Sequence, residues 1–183
     1  MKKILITLLT VTLMFAFTGC GNAKQDVSDE NQNSPTRPER TESLEEIIEL
    51  IYAEHSPEFS VMTVPVDLTD EFSYTTYTGL SDISNVEEAA ASEPMIGSQA
   101  YSLTLVRVKD GTDTEALAKE MAEGIDPRKW ICVEADDLSV AASGNLVMLI
   151  MISSEYSDQT TSEQMIDAFE TVCGGLDVKL INP

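Results

Sequence analysis

The sequence predicts an α+β domain: a mostly antiparallel sheet built from two strand–strand–helix units with helices on one face, plus an N-terminal helix. Three observations support it. Short apolar stretches have strand spacing, apolar residues recur at helical spacing after each strand pair, and this order occurs twice after residue 86. Sequence identity between the two units is too weak to indicate duplication.

The first helix is predicted to begin at Ser43. Ser43 and Glu46 have the spacing of a capping box, and Pro57 ends the helix. In the stretch that follows, residues 62–66 have the character of an extended edge, and residues 72–74 fit either a short helical or an extended piece. The apolar face of the first helix consists of Leu44, Ile47, Ile48 and Ile51.

The first unit begins with strands over residues 86–94 and 100–109. Residues 112–115 resemble a second capping box, and residues 126–127 (Asp-Pro) end the helix that it starts. Apolar residues of this helix recur every four positions, at Leu117, Met121 and Ile125.

The second unit begins with a strand over residues 138–142 and a tight turn at residues 143–145. Residues 146–152 are all apolar, a run too short for a buried helix, so a central strand is predicted. A helix follows from about Ser162 and stops at Gly174. Its apolar face consists of Met165, Ile166, Phe169 and Val172.

The N-terminus has the pattern of an export signal. Two lysines precede an apolar stretch, residues 4–17, which is too short for a stable membrane span, and the segment ends in Thr18-Gly19-Cys20. These residues resemble the lipobox of bacterial lipoproteins, although Phe17 stands where that motif usually has Leu. The resemblance implies cleavage before Cys20 and attachment of lipid to its thiol. The alternatives are an ordinary secretory signal or a short membrane anchor.

This reading divides the chain into a signal peptide (residues 1–19), a lipidated and disordered tether (residues 20–42) and one domain (residues 43–183). A flexible tether of about 20 residues has a reach of about 25 Å. The expected location is the extracytoplasmic face of the cell membrane, with membrane lipid as the partner of the acylated Cys20.

The domain resembles a family of lipoproteins from clostridial-type Gram-positive bacteria that is classed only as a domain of unknown function. The resemblance implies a location but no activity, substrate or catalytic residue. The chain departs from the family between Gly124 and Asp137, where Pro127 shortens the helix. The shared segments are Tyr77-Thr78-Gly79-Leu80, Val86-Glu87-Glu88, Arg107-Val108-Lys109-Asp110, Gly144-Asn145 and Met165-Ile166-Asp167-Ala168-Phe169.

The net charge of −21 argues against nucleic acid as a partner and against adhesion to anionic lipid headgroups. Cations, basic peptides and envelope proteins remain as partners, although acidity alone is typical of a soluble surface. Two cysteines remain beside Cys20. An exported protein can join Cys132 to Cys173, but their apolar neighbours favour two buried thiols.

No catalytic or cofactor signature is present in the sequence. The single histidine, His55, fits a helix C-terminus better than a catalytic pair, and zinc-ligand spacing is absent. Calcium at residues 110–115 competes with a simpler turn and helix cap. We expect Trp130 in the core rather than in a groove. The carboxylate clusters are Glu87-Glu88, Asp110/Asp113/Glu115 and Glu134/Asp136/Asp137.

These observations favour a non-enzymatic binding or envelope-accessory module without a cofactor. Two alternatives remain open. A carboxylate-dependent enzyme acting on cell-wall polymers needs two acidic groups across a cleft. A small solute-binding receptor needs a concave pocket with convergent polar groups.

Overall fold

A computed structural model describes residues 39–183 of the chain. Its six strands form one antiparallel sheet in the order β1-β2-β3-β5-β4-β6. In chain order the elements are α1 (Leu44–Glu54), β1 (Val61–Pro65), α2 (Glu71–Thr78), β2 (Val86–Pro94), β3 (Tyr101–Val108), α3 (Thr114–Gly124), β4 (Asp137–Ser143), β5 (Leu146–Ile152), a 3₁₀ turn (Ser154–Tyr156), α4 (Ser162–Cys173) and β6 (Val178–Ile181).

The predicted α+β class, the antiparallel sheet and both strand–strand–helix units are confirmed. The stretch after the first helix, for which the sequence allowed either helical or extended structure, forms the edge strand β1 and the helix α2. Strand β6 was not predicted, because its four residues are too few to show a clear period of two.

The helices pack on both faces of the sheet, so the prediction that they share one face is wrong in this respect. α1 and α4 cover one face, whereas α2 and α3 cover the other. Both crossovers, β3–α3–β4 and β5–α4–β6, step in the same direction across the sheet, but β3 and β5 are antiparallel. If both crossovers have the preferred right hand, their helices α3 and α4 must therefore lie on opposite faces of the sheet.

Strand β5 lies in the interior of the sheet, between β3 and β4, and all seven of its residues are buried. Its side chains alternate between the two faces, as a strand period of two requires. Leu146, Met148, Ile150 and Ile152 pack under α1 and α4, and Val147, Leu149 and Met151 pack under α2 and α3.

Two of the three helix starts that the sequence signalled have the predicted position. Ser43 forms the predicted capping box with Glu46, and α4 begins at Ser162. At α3 the cap is Asp113, whose carboxylate accepts the N–H of Ala116, so the predicted capping box over residues 112–115 is corrected to a simple aspartate cap.

The end of α2 packs directly against the end of α3. Gly79, with φ 73°, caps α2, and a Cβ there would lie 2.5 Å from the backbone nitrogen of Ile125. Only glycine fits this approach without strain. In the part of the chain that the structure describes, no helix is long and apolar enough to cross a membrane.

Candidate functional site

Two loops meet at one end of the sheet. The first, residues 95–100, joins β2 to β3 and is called the hairpin loop. The second, residues 125–136, joins α3 to β4 and is called the connector. The N–H of Ile131 donates to the carbonyl of Gly97 at 3.0 Å, so the loops are bonded directly to each other. The connector also closes on itself through the N–H of Ala135 and the carbonyl of Pro127, 2.9 Å apart.

Lys129 fastens the connector to the elements beneath it. Its ammonium lies 2.6 Å from the Oε1 of Glu93 on β2. It donates to the Oγ of Ser102 on β3 at 3.0 Å and to the carbonyl of Thr76 on α2 at 3.3 Å. One buried cation thus holds three separate elements against the connector.

Two aromatic rings complete the surroundings of this ammonium. The ring centroid of Tyr77 is 4.8 Å from the Nζ of Lys129, and that of Trp130 is 5.4 Å away. Both distances suit a cation–π contact. Burial lowers the pKa of Lys129, while the nearby carboxylate of Glu93 opposes that shift. Burial likewise raises the pKa of Tyr77, with a further contribution from Glu93.

The Lys129–Ser102 pair does not have the access that a nucleophilic serine needs. The side chain of Ser102 is fully buried inside β3, and the ammonium is occupied by three oxygens. Lys129 also lines an open groove, but catalysis by this pair would require a substrate to reach the buried hydroxyl of Ser102. Lys129 is therefore a structural clamp for the connector.

The hairpin loop and the connector carry three large apolar side chains that face solvent. Met95 and Ile96 of the hairpin loop are 79% and 61% exposed, and Ile131 of the connector is 73% exposed. We call these three residues the apolar tip. Scattered exposed apolar residues are ordinary, but three on two loops that are bonded to each other are a candidate interaction site.

A groove runs between α2 and the connector. It encloses about 830 Å³ and is bordered by Phe72, which is 79% exposed, and by Arg128. Within residues 39–183 the guanidinium of Arg128 forms no ion pair. Glu71 and Asp126 border the same groove, so its charge is mixed.

A separate acidic hollow of about 300 Å³ lies beside the connector, and Cys132, Glu134, Asp136 and Glu155 are among its lining residues. The carboxylate of Asp136 accepts both the N–H and the hydroxyl of Ser154, each at 2.6 Å, and these bonds lower its pKa. Glu134 and Glu155 are exposed and form no ion pair with any described residue.

The chain enters the domain at the opposite end of the sheet. The guanidinium of Arg40 donates to the carbonyl of Val172 at 2.8 Å, near the end of α4. The backbone N–H of Arg40 reaches the side-chain oxygen of Asn145, in the β4–β5 turn, at 3.4 Å. The last residues of the predicted tether therefore contact the domain. Its earlier residues, with Cys20 and the signal segment, lie outside the described residues.

Members of the predicted acidic clusters form ion pairs and hydrogen bonds with other residues of the domain. Glu88 pairs with Arg107 at 2.8 Å, Asp113 caps α3, and Asp137 accepts the N–H of Ser162 at 2.8 Å. Among residues 39–183, no three His, Cys, Asp or Glu side chains are placed to hold a metal ion.

The remaining candidate residues have the following places. His55 is the C-cap of α1, as predicted, and its Nε2 lies 3.1 Å from the Oγ1 of Thr160. Trp130 is half-buried against the core under α2 and α3. Cys132 and Cys173 do not form a disulfide, which agrees with the favoured prediction. Cys132 is exposed and Cys173 is half-buried, so the expectation of two buried thiols is wrong for Cys132.

Sequence reasoning missed the apolar tip. Ile131 stands in the apolar run Trp130-Ile131-Cys132-Val133, which fits a core segment. The one available signal was the pair Met95-Ile96, which follows Pro94 and precedes Gly97 in a loop composition. Comparison of the chain with family models, curated proteins and solved structures finds no match. The resemblance to the clostridial-type lipoprotein family stays a prediction.

Proposed function

We propose that this protein is a lipoprotein held on the extracytoplasmic face of the cell membrane by acylated Cys20, and that its domain is a non-enzymatic binding module. The binding surface is the apolar tip. The N-terminal pattern supports the anchoring, and the tip supports the binding role.

The observation that carries the binding role is the exposure of Met95, Ile96 and Ile131 on two loops that are bonded to each other. Each large apolar side chain gains roughly 1.5–3 kcal/mol when it is fully buried, so a partner that covers the tip gains substantial free energy. The clamp at Lys129 holds the connector before binding, which reduces the entropy lost on association.

The position of the tip suits a tethered protein. The chain enters at the β4–β5 turn, whereas the tip lies beyond the other ends of these strands. A seven-residue strand such as β5 is about 23 Å long. The tip is therefore separated from Arg40, where the described chain meets the β4–β5 turn, by about the length of the sheet.

A crosslinking experiment on native envelopes tests this proposal. Complexes are recovered with the lipidated wild type, with Cys20→Ala as the unanchored control and with Ile96→Gln/Ile131→Gln as the tip variant. Leu50→Gln is the matched control, because Leu50 is 43% exposed on α1 and outside the tip. We expect one complex that wild type and Leu50→Gln form and that the tip variant loses. Equal recovery with the tip variant would overturn the binding role.

The groove beside Phe72 favours a second candidate function, the binding of a small solute. An exposed aromatic ring and a guanidinium that pairs with no carboxylate of residues 39–183 border a concave space of about 830 Å³. A thermal-shift screen of ions, sugars and peptides tests it. A shift that Phe72→Ala and Arg128→Gln abolish would support solute binding, and no shift with any compound class would count against it.

A further inference from the structure

We infer that the partner of the apolar tip is a protein surface with an apolar centre surrounded by lysine or arginine side chains. This inference rests on the proposed binding role of the tip and adds the chemistry of the partner.

Carboxylates outnumber exposed cations beside the tip, which indicates basic residues on the partner. Among the described residues, the exposed cation there is Arg128, which shares a depression with Cys132 and Glu134. Cys132 follows Ile131 of the tip directly and lines the acidic hollow together with Glu134, Asp136 and Glu155. The carboxylates of Glu134 and Glu155 are exposed and have no cationic neighbour bonded to them among residues 39–183. A partner with Lys or Arg at its rim gains attraction here, whereas an acidic rim is repelled.

Two other occupants fit less well. A second copy of this chain would bring another net charge of −21 toward the same acidic rim. A lipid surface with anionic headgroups is repelled for the same reason.

The size of the tip indicates a small or transient interface. Three apolar side chains correspond to the buried centre of an interface rather than to a complete one. The surrounding carboxylates then accelerate association and select the partner, and this contribution weakens as salt is added.

Site-specific photocrosslinking in the cells that make the protein tests the inference. A diazirine-bearing amino acid replaces Ile96 in the full lipidated chain, and the same amino acid at Leu50 is the control. After irradiation, the adduct is identified by mass spectrometry down to the crosslinked peptide. A synthetic peptide of that sequence is then titrated with the purified protein at low and high salt.

We expect a protein adduct at position 96 and none at position 50, with Lys or Arg beside apolar residues in the crosslinked peptide. Glu134→Gln/Glu155→Gln should weaken binding of the peptide at least fivefold at low salt and much less at high salt. Glu49→Gln/Glu123→Gln, which removes two exposed carboxylates elsewhere, should have no such effect. Asp136 is left unchanged because its bonds to Ser154 hold the loop.

The possible failures are distinguishable. No adduct at position 96 would overturn the binding role of the tip itself. An adduct with lipid, with a second copy or with a peptide lacking Lys and Arg would overturn only the inferred chemistry of the partner. Equal weakening by the two pairs of glutamate variants would also overturn it.

Discussion

The backbone N–H of Ile131 donates to the carbonyl oxygen of Gly97 at 3.0 Å, so two loops that are distant in sequence and carry exposed apolar side chains are bonded to each other. Lys129, two residues before Ile131, bonds the connector to β2, β3 and α2. The tip is therefore supported by bonds that do not involve its exposed side chains. Stability and binding should be separable by mutation.

The apolar tip should contribute little to folding. Ile96→Gln and Ile131→Gln should each change the free energy of unfolding by less than about 0.5 kcal/mol, because these side chains are mostly solvated. Phe169→Ala, at a fully buried position, should cost about 3–5 kcal/mol. Urea denaturation measures both. A large loss from either tip variant would contradict a binding role for these residues.

Removal of the Lys129 ammonium should destabilise the protein strongly. Lys129→Met leaves the carboxylate of Glu93 without its cation, and breaking a buried pair in this way costs about 3 kcal/mol. The double variant Lys129→Met/Glu93→Gln should recover part of this loss, because no buried charge remains. Chemical denaturation of the single and double variants measures the coupling. Additive losses would show that the two groups act independently.

The contact between the ends of α2 and α3 should tolerate no side chain at Gly79. Gly79→Ala places a Cβ 2.5 Å from the backbone nitrogen of Ile125 in addition to the strain of φ 73°, and we expect a loss of about 3 kcal/mol. Gly111→Ala is the matched control, since Gly111 has φ 79° but open space around its Cβ, and should cost only about 1 kcal/mol. Equal losses measured by thermal unfolding would contradict the close approach.

Stability should fall at alkaline pH because of two buried tyrosines. Burial raises the pKa of Tyr52 and, more strongly, that of Tyr101, whose hydroxyl donates to the hydroxyl of Tyr52 at 3.1 Å. The folded state retains these protons above the ordinary tyrosine pKa of about 10, so the stabilisation is complete below about pH 10 and is lost as the pH rises further.

The measurement is urea denaturation between about pH 8 and about pH 11, together with tyrosinate absorbance. Tyr101→Phe should show a shallower decline than wild type. Comparison of these two proteins cancels the contribution of Lys129, whose lowered pKa makes stability rise with pH in its own range. Identical slopes would contradict this prediction.

The sequence predicted those parts of the fold that depend on neighbouring residues. The apolar run of β5, the capping box at Ser43 and the stop at Gly174 are local patterns, and each has the expected structure. The faces covered by α3 and α4 depend on strand order and crossover hand, which no single segment contains.

The candidate site was not predictable for a similar reason. Ile131 has the same apolar sequence neighbours as a core residue, and only the structure shows that its side chain is exposed on a loop bonded to Gly97. The role of Lys129 depends on Glu93, Ser102 and Thr76, which come from three elements far apart in the chain.

Chemical footprinting of Cys132 tests the central claim most directly. This thiol is exposed and follows Ile131, so a partner that covers the tip should shield it. A maleimide is applied to intact envelopes and to purified protein, with Cys132→Ser as the background control. We predict that Cys132 reacts several-fold more slowly in envelopes than when purified, and that Ile96→Gln/Ile131→Gln restores the fast rate. Equal rates in envelopes and in purified protein would contradict the proposal that the tip is a binding surface.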